Sequence, residues 1–303
     1  MSVSSSDERR TFIVGGAELT APRLEPGLYL VATPIGNLSD ITLRALETLA
    51  SADILACEDT RVTRILLERY GIRRRTVALH EHNETQSAAR LIKAVERGQS
   101  VALASDAGTP LVSDPGYRLV QMAREKGLPV VPVPGPSAVL AALTASGLPT
   151  DSFLFAGFLP VKPGQRITRL AALADVPATL VFFESPRRLA SSLAAMAEVL
   201  GDRQASVARE LTKAFEEVRP GSLRSLAAHY ETAGAPRGEV VLCVAPPSER
   251  KEMDSEETDR LLVKLAAEMP APKAAAEAAR MTGARRSDLY QRLLALKEAD
   301  DGD

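Results

Sequence analysis

The chain has 303 residues, 45% of them hydrophobic and 25% charged, enough for two modest domains with real cores and an appendage. Its net charge of −2 excludes a global nucleic-acid footprint, so any basic surface is local, and 4% aromatics with no Trp exclude a dense base-stacking platform. The two cysteines, Cys57 and Cys243, each lie inside an apolar run, which argues against a disulfide framework or a cysteine zinc site and fits a reducing cytoplasm.

Residues 1–26 are Ser-rich, then punctuated by Pro and Glu, and read as a mobile extension without a signal-peptide pattern. Residues 28–32 form an apolar strand, Thr33-Pro34-Ile35-Gly36-Asn37-Leu38 a turn, and Ser39 or Asp40 caps a helix over 41–51. A strand at 53–57 carries Glu58-Asp59-Thr60-Arg61 at its carboxyl end, followed by a helix to Tyr70. The strand at 76–80 runs into Glu81-His82-Asn83, where Asn83 and Gln86 make a capping box for a helix closed by Gly98. Val101-Ala102-Leu103-Ala104 is a buried strand, and it opens into the loop Ser105–Tyr117. In that loop Asp114 reads as a helix N-cap and Pro115 as the first helical residue.

A strand at 128–133, Pro134-Gly135-Pro136-Ser137-Ala138 and a helix ending at Gly147 complete a first α/β domain, residues 27–147, with a largely parallel sheet. The segment 127–150 is uncharged but broken by Pro129, Pro132, Pro134, Gly135, Pro136 and Gly147, so it is no bilayer helix and no membrane contact is expected. Residues 148–246 read as a second α/β domain, with strands near 153–158, 179–183, 205–209, 214–218 and 239–245. Residues 247–303 are a charged linker and three helices, about 256–268, 272–282 and 287–298, in a helix-turn-helix-like pattern.

The chemistry lies in three loops that each follow a strand: 33–37, 105–110 and 134–138. None is a G-x-G-x-x-G or a phosphate loop of the G-x-x-x-x-G-K-[ST] kind, which argues against dinucleotide and nucleoside-triphosphate chemistry. Their bare backbone suits an uncharged adenine and ribose, and Asp106 suits a positive centre or sugar hydroxyls. The expected place for a ligand is the carboxyl ends of the strands.

Read together, TPIGNL (33–38), EDTR (58–61), LHEHNE (79–84), SDAGTPLVSDPGY (105–117), PGPSA (134–138), GLPTDSFLFAGFLP (147–160), ESPRR (184–188), ARELTK (208–213) and GE (238–239) resemble the tetrapyrrole methylase superfamily. The closer resemblance is to its 16S ribosomal RNA cytidine 2′-O-methyltransferase branch. That resemblance implies a two-domain tetrapyrrole-methylase-like fold and a homodimer, with S-adenosylmethionine held between the domains. It assigns cofactor contact to Pro34, Gly36, Ser105, Asp106, Ala107, Gly108, Asp114, Pro136, Ser137, Ala138, Phe183 and Leu211. The implied substrate is 16S ribosomal RNA within the small ribosomal subunit.

The general base stays open between Glu58, Asp59, His80 and His82, with Glu184 and Glu210 as weaker candidates. Glu58-Asp59 also reads as a plain helix cap. His80 and His82 share one face of a strand end, but His229 is remote and no cysteine joins them, so no metal is expected. Arg61, Arg64, Arg69, Arg73, Arg74 and Arg75 crowd one stretch with Glu68 as its only acid, a candidate phosphate-binding patch. Arg187, Arg188, Arg209 and Lys213 extend it, and Lys273, Arg280, Arg285, Arg286 and Arg292 on the terminal helices make either an accessory clamp or a packing appendage. Two other functions compete: methylation of a small tetrapyrrole, and a nucleic-acid-binding protein with a nucleotide-sensing α/β body.

Overall fold

The computed structural model describes residues 10–79, 84–247, 255–282 and 284–300. The chain divides into two compact units, Met1–Ala174 with Ala178–Ala245, and Asp175–Pro177 with Pro246–Asp303. The first unit begins with an antiparallel hairpin, β1 (Thr11–Val14) and β2 (Ala17–Thr20), turned at Gly15 and Gly16, both at positive φ. Phe12, 2% exposed, sits in the core beside Leu46, Leu49 and Leu55, and the Ile13 N–H donates to Tyr70 O at 2.8 Å. Residues 10–26 are therefore not a mobile extension. Four-residue strands are too short to show a period, and the single buried aromatic that anchors them carries little weight in the composition.

The first sheet contains β3 (Gly27–Val31), β4 (Ile54–Cys57), β5 (Thr76–Ala78), β6 (Ser100–Ala104) and β7 (Val130–Val133), all parallel, in the order β5-β4-β6-β3-β7. Its strands are connected by α1 (Leu43–Ser51), α2 (Thr60–Arg69), α3 (Glu84–Glu96) and α4 (Tyr117–Glu125). Tyr29, Val31, Leu55 and Ala102 face one core with α1 and α2, while Leu28, Ala56, Val101 and Leu103 face the other with α3 and α4. Burial on both faces explains why β6 is a continuous apolar run rather than an alternating one. The neighbours β3 and β6 send their outgoing helices, α1 and α4, to opposite faces. That is the switch point of a doubly wound sheet, and it opens a crevice at the carboxyl ends of those two strands.

Two helix starts differ from expectation. Thr42 caps α1, its hydroxyl accepting from the Ala45 N–H at 3.1 Å, while Ser39 and Asp40 lie in a short 3-10 turn capped by Asn37. Asp114 is not the N-cap of α4. The entry to α4 is Gly116 at φ 118°, where a Cβ would lie 2.7 Å from Leu103 Cδ2, so the residues before it remain irregular loop.

The second sheet contains β8 (Phe153–Phe158), β9 (Thr179–Glu184), β10 (Gln204–Arg209), β11 (Glu217–Ser222) and β12 (Val240–Val244), in the order β11-β10-β12-β9-β8. Only β8 and β9 are parallel. It is accompanied by α6 (Pro163–Ala171), α7 (Leu189–Leu200) and α8 (Leu223–Ala233). The intervening helix α5 (Ala138–Ala145) closes residues 27–147 in sequence but packs on this second sheet. Its Val139, Ala142 and Leu143 share a core with Val181, Ala208, Val241 and Cys243. Both sheets thus belong to one unit, tied by a helix whose sequence position suggests the first alone.

The second unit holds α9 (Ser255–Glu268), α10 (Ala271–Thr282) and α11 (Arg286–Asp300) around its own small core of Leu262, Ala274, Ala275, Ala278, Leu289 and Leu293. The helix expected over about 256–268 is α9, which begins one residue earlier, at Ser255. Among the described residues no helix is long and apolar enough to cross a membrane.

Candidate active site

Three loops close the crevice at the switch point. Thr33 pairs with Gly108 through two backbone bonds, N–H to O at 2.9 and 3.0 Å, and its hydroxyl donates to Ser105 O at 2.8 Å. The Thr109 hydroxyl donates to Pro136 O at 3.3 Å, and a Cβ at Gly135 would lie 3.1 Å from that of Ala32. Gly108 sits at φ 82°, and Leu111 and Ser113 in the same loop also take positive φ, 70° and 64°. Non-glycine residues hold such conformations only where their surroundings impose them, and such sites cluster where ligands bind.

The loop after β6 serves two cavities. One, of about 240 Å³, is lined by Pro34, Gly36, Ser105, Asp106 and Ala107 together with Val62, Ile65, Lys213 and Glu239. The other, of about 510 Å³, is mostly apolar and is lined by Thr109, Pro110, Val112, Ser137, Leu140 and Phe155. Ser137 also caps α5, its hydroxyl accepting from the Leu140 N–H at 3.4 Å. Ala138, Phe183 and Leu211 belong to the core that backs this cavity through Val139 and Phe155, and the rings of Phe155 and Phe183 meet edge-on at 4.8 Å. Asp114 stands further back. It accepts the Ser105 hydroxyl and shares a narrow cleft with Glu58 and Pro115.

Charge separates the base candidates. The Asp59 carboxylate binds Arg61 side chain and backbone (2.6 Å to the guanidinium), and these bonds hold its pKa down at about 2. So weak a base takes little part in proton transfer near neutrality, and the helix-cap reading describes Asp59 well: it is the N-cap of α2. Asp106 behaves in the opposite way. Burial pushes its pKa up, with the nearby Asp59 charge adding to the rise, although the Asp59 N–H donates to Asp106 Oδ1 at 3.0 Å. Burial likewise raises Asp114.

Glu184 is 3% exposed and fully engaged by the Ser185 N–H, the Ser192 hydroxyl and Arg188, which makes it a structural anchor rather than a base. Glu210 is bound to Lys213, which lowers its pKa. His80 and His82 lie outside the described residues.

The basic candidates divide by environment. Arg61 and Arg64 are exposed on α2, paired with Asp59 and with Glu68 (3.5 Å), and Arg73 is exposed just beyond that helix. Arg74 instead turns inward and donates to Ala50 O at 2.6 and 2.8 Å, holding the end of α1. Arg187 is exposed in the 3-10 turn Pro186–Arg188, and Arg285 and Arg286 are exposed at the start of α11 in the second unit. Lys213 is not on the arginine face at all but in the wall of the 240 Å³ cavity.

Val62 and Ile65 were not singled out from sequence. They are 42% and 60% exposed on α2 and turn to the cavity, off the buried stripe of Thr63, Leu66 and Leu67. Large apolar residues off a helix's core stripe were the available signal.

Comparison with known proteins agrees with this architecture. Residues 27–227 match the family model of the tetrapyrrole (corrin/porphyrin) methylases, and 252–297 match that of the RsmI C-terminal HTH domain. A solved uroporphyrin-III C-methyltransferase from Thermus thermophilus, complexed with S-adenyl homocysteine, superposes with a TM-score of 0.51 at 21% identity over 72% of this chain and 97% of that one. The class is thus a two-sheet tetrapyrrole methylase fold.

Within that class much nearer relatives exist. The chain is 67% identical over 96% of its length to the ribosomal RNA small subunit methyltransferase I of Mesorhizobium japonicum, covering 99% of that protein. It is 47% identical over 87% of its length to the protein of the same name from Escherichia coli O157:H7, covering 93% of it. The chain belongs to the ribosomal RNA small subunit methyltransferase I family of tetrapyrrole methylases.

Proposed function

We propose that this chain transfers a methyl group from S-adenosylmethionine to the ribose 2′-oxygen of a cytidine in 16S ribosomal RNA. The residues present fit the donor. The apolar cavity at Thr109, Pro110, Ser137 and Phe155 suits adenosine, and the Asp106 carboxylate suits a sulfonium. Bound there, S-adenosylmethionine supplies an already activated methyl group. The chain's own task is then to aim the acceptor hydroxyl and remove its proton, contributions on the order of 10⁵ M in effective concentration and 10²–10⁴-fold in rate.

One observation carries the choice of acceptor: α2 both walls the smaller cavity, through Val62 and Ile65, and bears the exposed Arg61 and Arg64. Phosphate-binding charge therefore borders a cavity of about 240 Å³. That volume falls below the roughly 300 Å³ at which sites for drug-sized molecules begin, so one nucleoside suits it better than a tetrapyrrole macrocycle.

In this reading the substrate is RNA within the small ribosomal subunit, and the enzyme works as a homodimer in the cytoplasm. Val161 and Phe215, 72% and 75% exposed, are apolar side chains that a second copy would cover. The test is incubation with methyl-labelled S-adenosylmethionine and small ribosomal subunits, followed by mass mapping of the RNA. Label on a ribose of 16S RNA is expected. Label confined to a porphyrinoid, or binding of RNA without transfer, overturns the reading.

A further inference from the structure

Lys213 is held in place by more of the structure than a surface ion pair uses. Its ammonium binds Glu210 at 2.8 Å and Glu239 at 3.0 Å. The turn that presents it takes positive φ at two non-glycine residues, Glu210 (50°) and Thr212 (64°). Position 238 lacks a side chain where any Cβ would run into the Glu210 carboxyl. A Cβ at Gly36 would lie 2.5 Å from Lys213 Cγ, so the lysine stem lies flat against the loop that follows β3. The Asn37 N–H fixes the same turn by donating to the Thr212 hydroxyl at 3.0 Å. All of this aims one ammonium at the cavity wall shared with Asp106.

We infer that Lys213 is a catalytic residue whose ammonium donates a hydrogen bond to the ribose 2′-oxygen receiving the methyl group, while Asp106 accepts that hydroxyl's proton. The inference rests on the methyl-transfer reading above. An ammonium has three donors, and among the described residues two are taken by Glu210 and Glu239, leaving one for a ligand in the cavity. Burial works against the charged lysine, but the bonds to Glu210 and Glu239 outweigh it and raise the pKa, so Lys213 stays an ammonium and acts as a donor rather than a base. Among the described residues Asp106 has one oxygen occupied, by the Asp59 N–H, leaving the other to take a proton.

In the step itself, a lone pair of the 2′-oxygen forms the bond to the methyl carbon. The carbon–sulfur bond breaks with its electron pair passing to sulfur, and the O–H proton passes to the Asp106 carboxylate and then to water. The Lys213 hydrogen bond steadies the oxygen as its proton leaves, the role of a preorganised donor. Among the described residues, Asp59 at the start of α2 and Asp114 in its own loop act on the Asp106 charge, and Lys213 and Glu239 share its cavity.

The experiment uses the full chain, small ribosomal subunits and labelled S-adenosylmethionine. It measures the single-turnover rate at saturation from acid to neutral pH and, separately, donor affinity by calorimetry. Lys213→Met is expected to slow transfer about 100-fold or more with donor affinity unchanged, and Lys213→Arg to recover part of the loss. The wild-type rate is expected to rise with pH through the ionisation of Asp106, and Asp106→Asn to remove that rise. Glu239→Gln keeps the lysine and loosens its clamp, so it provides a reading even if Lys213→Met folds poorly; a smaller loss of rate is expected. Full-rate transfer by Lys213→Met or by Glu239→Gln overturns the inference, as does a parallel fall of rate and donor affinity. A wild-type chain that leaves the subunits unlabelled overturns the function reading as well, and so the two failures are distinguishable.

Discussion

The Gly36 contact has a direct consequence for stability. Of the atoms a Cβ there would meet, Lys213 Cγ belongs to a side chain tethered by Glu210 and Glu239, and Leu211 O at 2.9 Å is backbone and cannot move cheaply. Gly36→Ala is expected to cost about 1–3 kcal/mol, as overpacking does, and to weaken donor binding; a thermal melt and a donor titration check both. Asp114 gives the opposite sign. Because burial raises its pKa, its contribution to stability is present below the ordinary aspartate range and is lost as pH rises through the raised value. Asp114→Asn keeps an acceptor for Ser105 and removes the charge. It is expected to gain stability over the wild type at neutral pH and to lose the advantage in acid, which melts at several pH values will show. At this scale the sequence makes Asp106 and Gly108 visible, because a small-residue loop after a buried run is a local pattern. The pairing of Asp114 with Pro115 looks like a cap only until Gly116 and Ser105 are seen to occupy the space. The place of Lys213 depends on positions 36, 210, 238 and 239 meeting in space, and no local pattern records that.

At the scale of elements, the first sheet is read correctly because each of its strands is a short apolar run followed by a helix with its own face. The hairpin β1–β2 is missed for a matching reason: its two strands are short and mostly exposed, and their attachment comes from tertiary contacts. Phe12→Ala removes the largest side chain by which the hairpin docks on this core and is expected to cost about 3 kcal/mol or more, read as a shift of the denaturation midpoint. If the segment were a loose extension, the same substitution would leave the midpoint where it is. Helix α5 shows the limit of reading by chain order. Its sequence neighbours belong to the first sheet, but its apolar residues fill the second, and only the contact of Val139 and Leu143 with Val181 and Val241 decides between them.

For the molecule as a whole, a net charge of −2 hides an uneven distribution, since the arginines from 61 to 75 stand almost free of acids in sequence. The structure then divides them by job, which the sequence does not. Arg64 and Arg73 are exposed, whereas Arg74 holds the carbonyl of Ala50. If the exposed ones bind RNA phosphate, each releases counterions on binding. Arg64→Ala and Arg73→Ala are then expected to weaken RNA binding and to lower the slope of log affinity against log salt by roughly 0.7 per residue, with thermal stability unchanged. Arg74→Ala is expected to behave in reverse: it leaves Ala50 O without its cationic donor and costs about 1–3 kcal/mol of stability, with the salt slope preserved. Filter binding over a salt series, set beside melts of the same three variants, separates the two kinds of arginine. Equal salt slopes for all three would remove α2 from the RNA-binding face and leave the small cavity without its charged border.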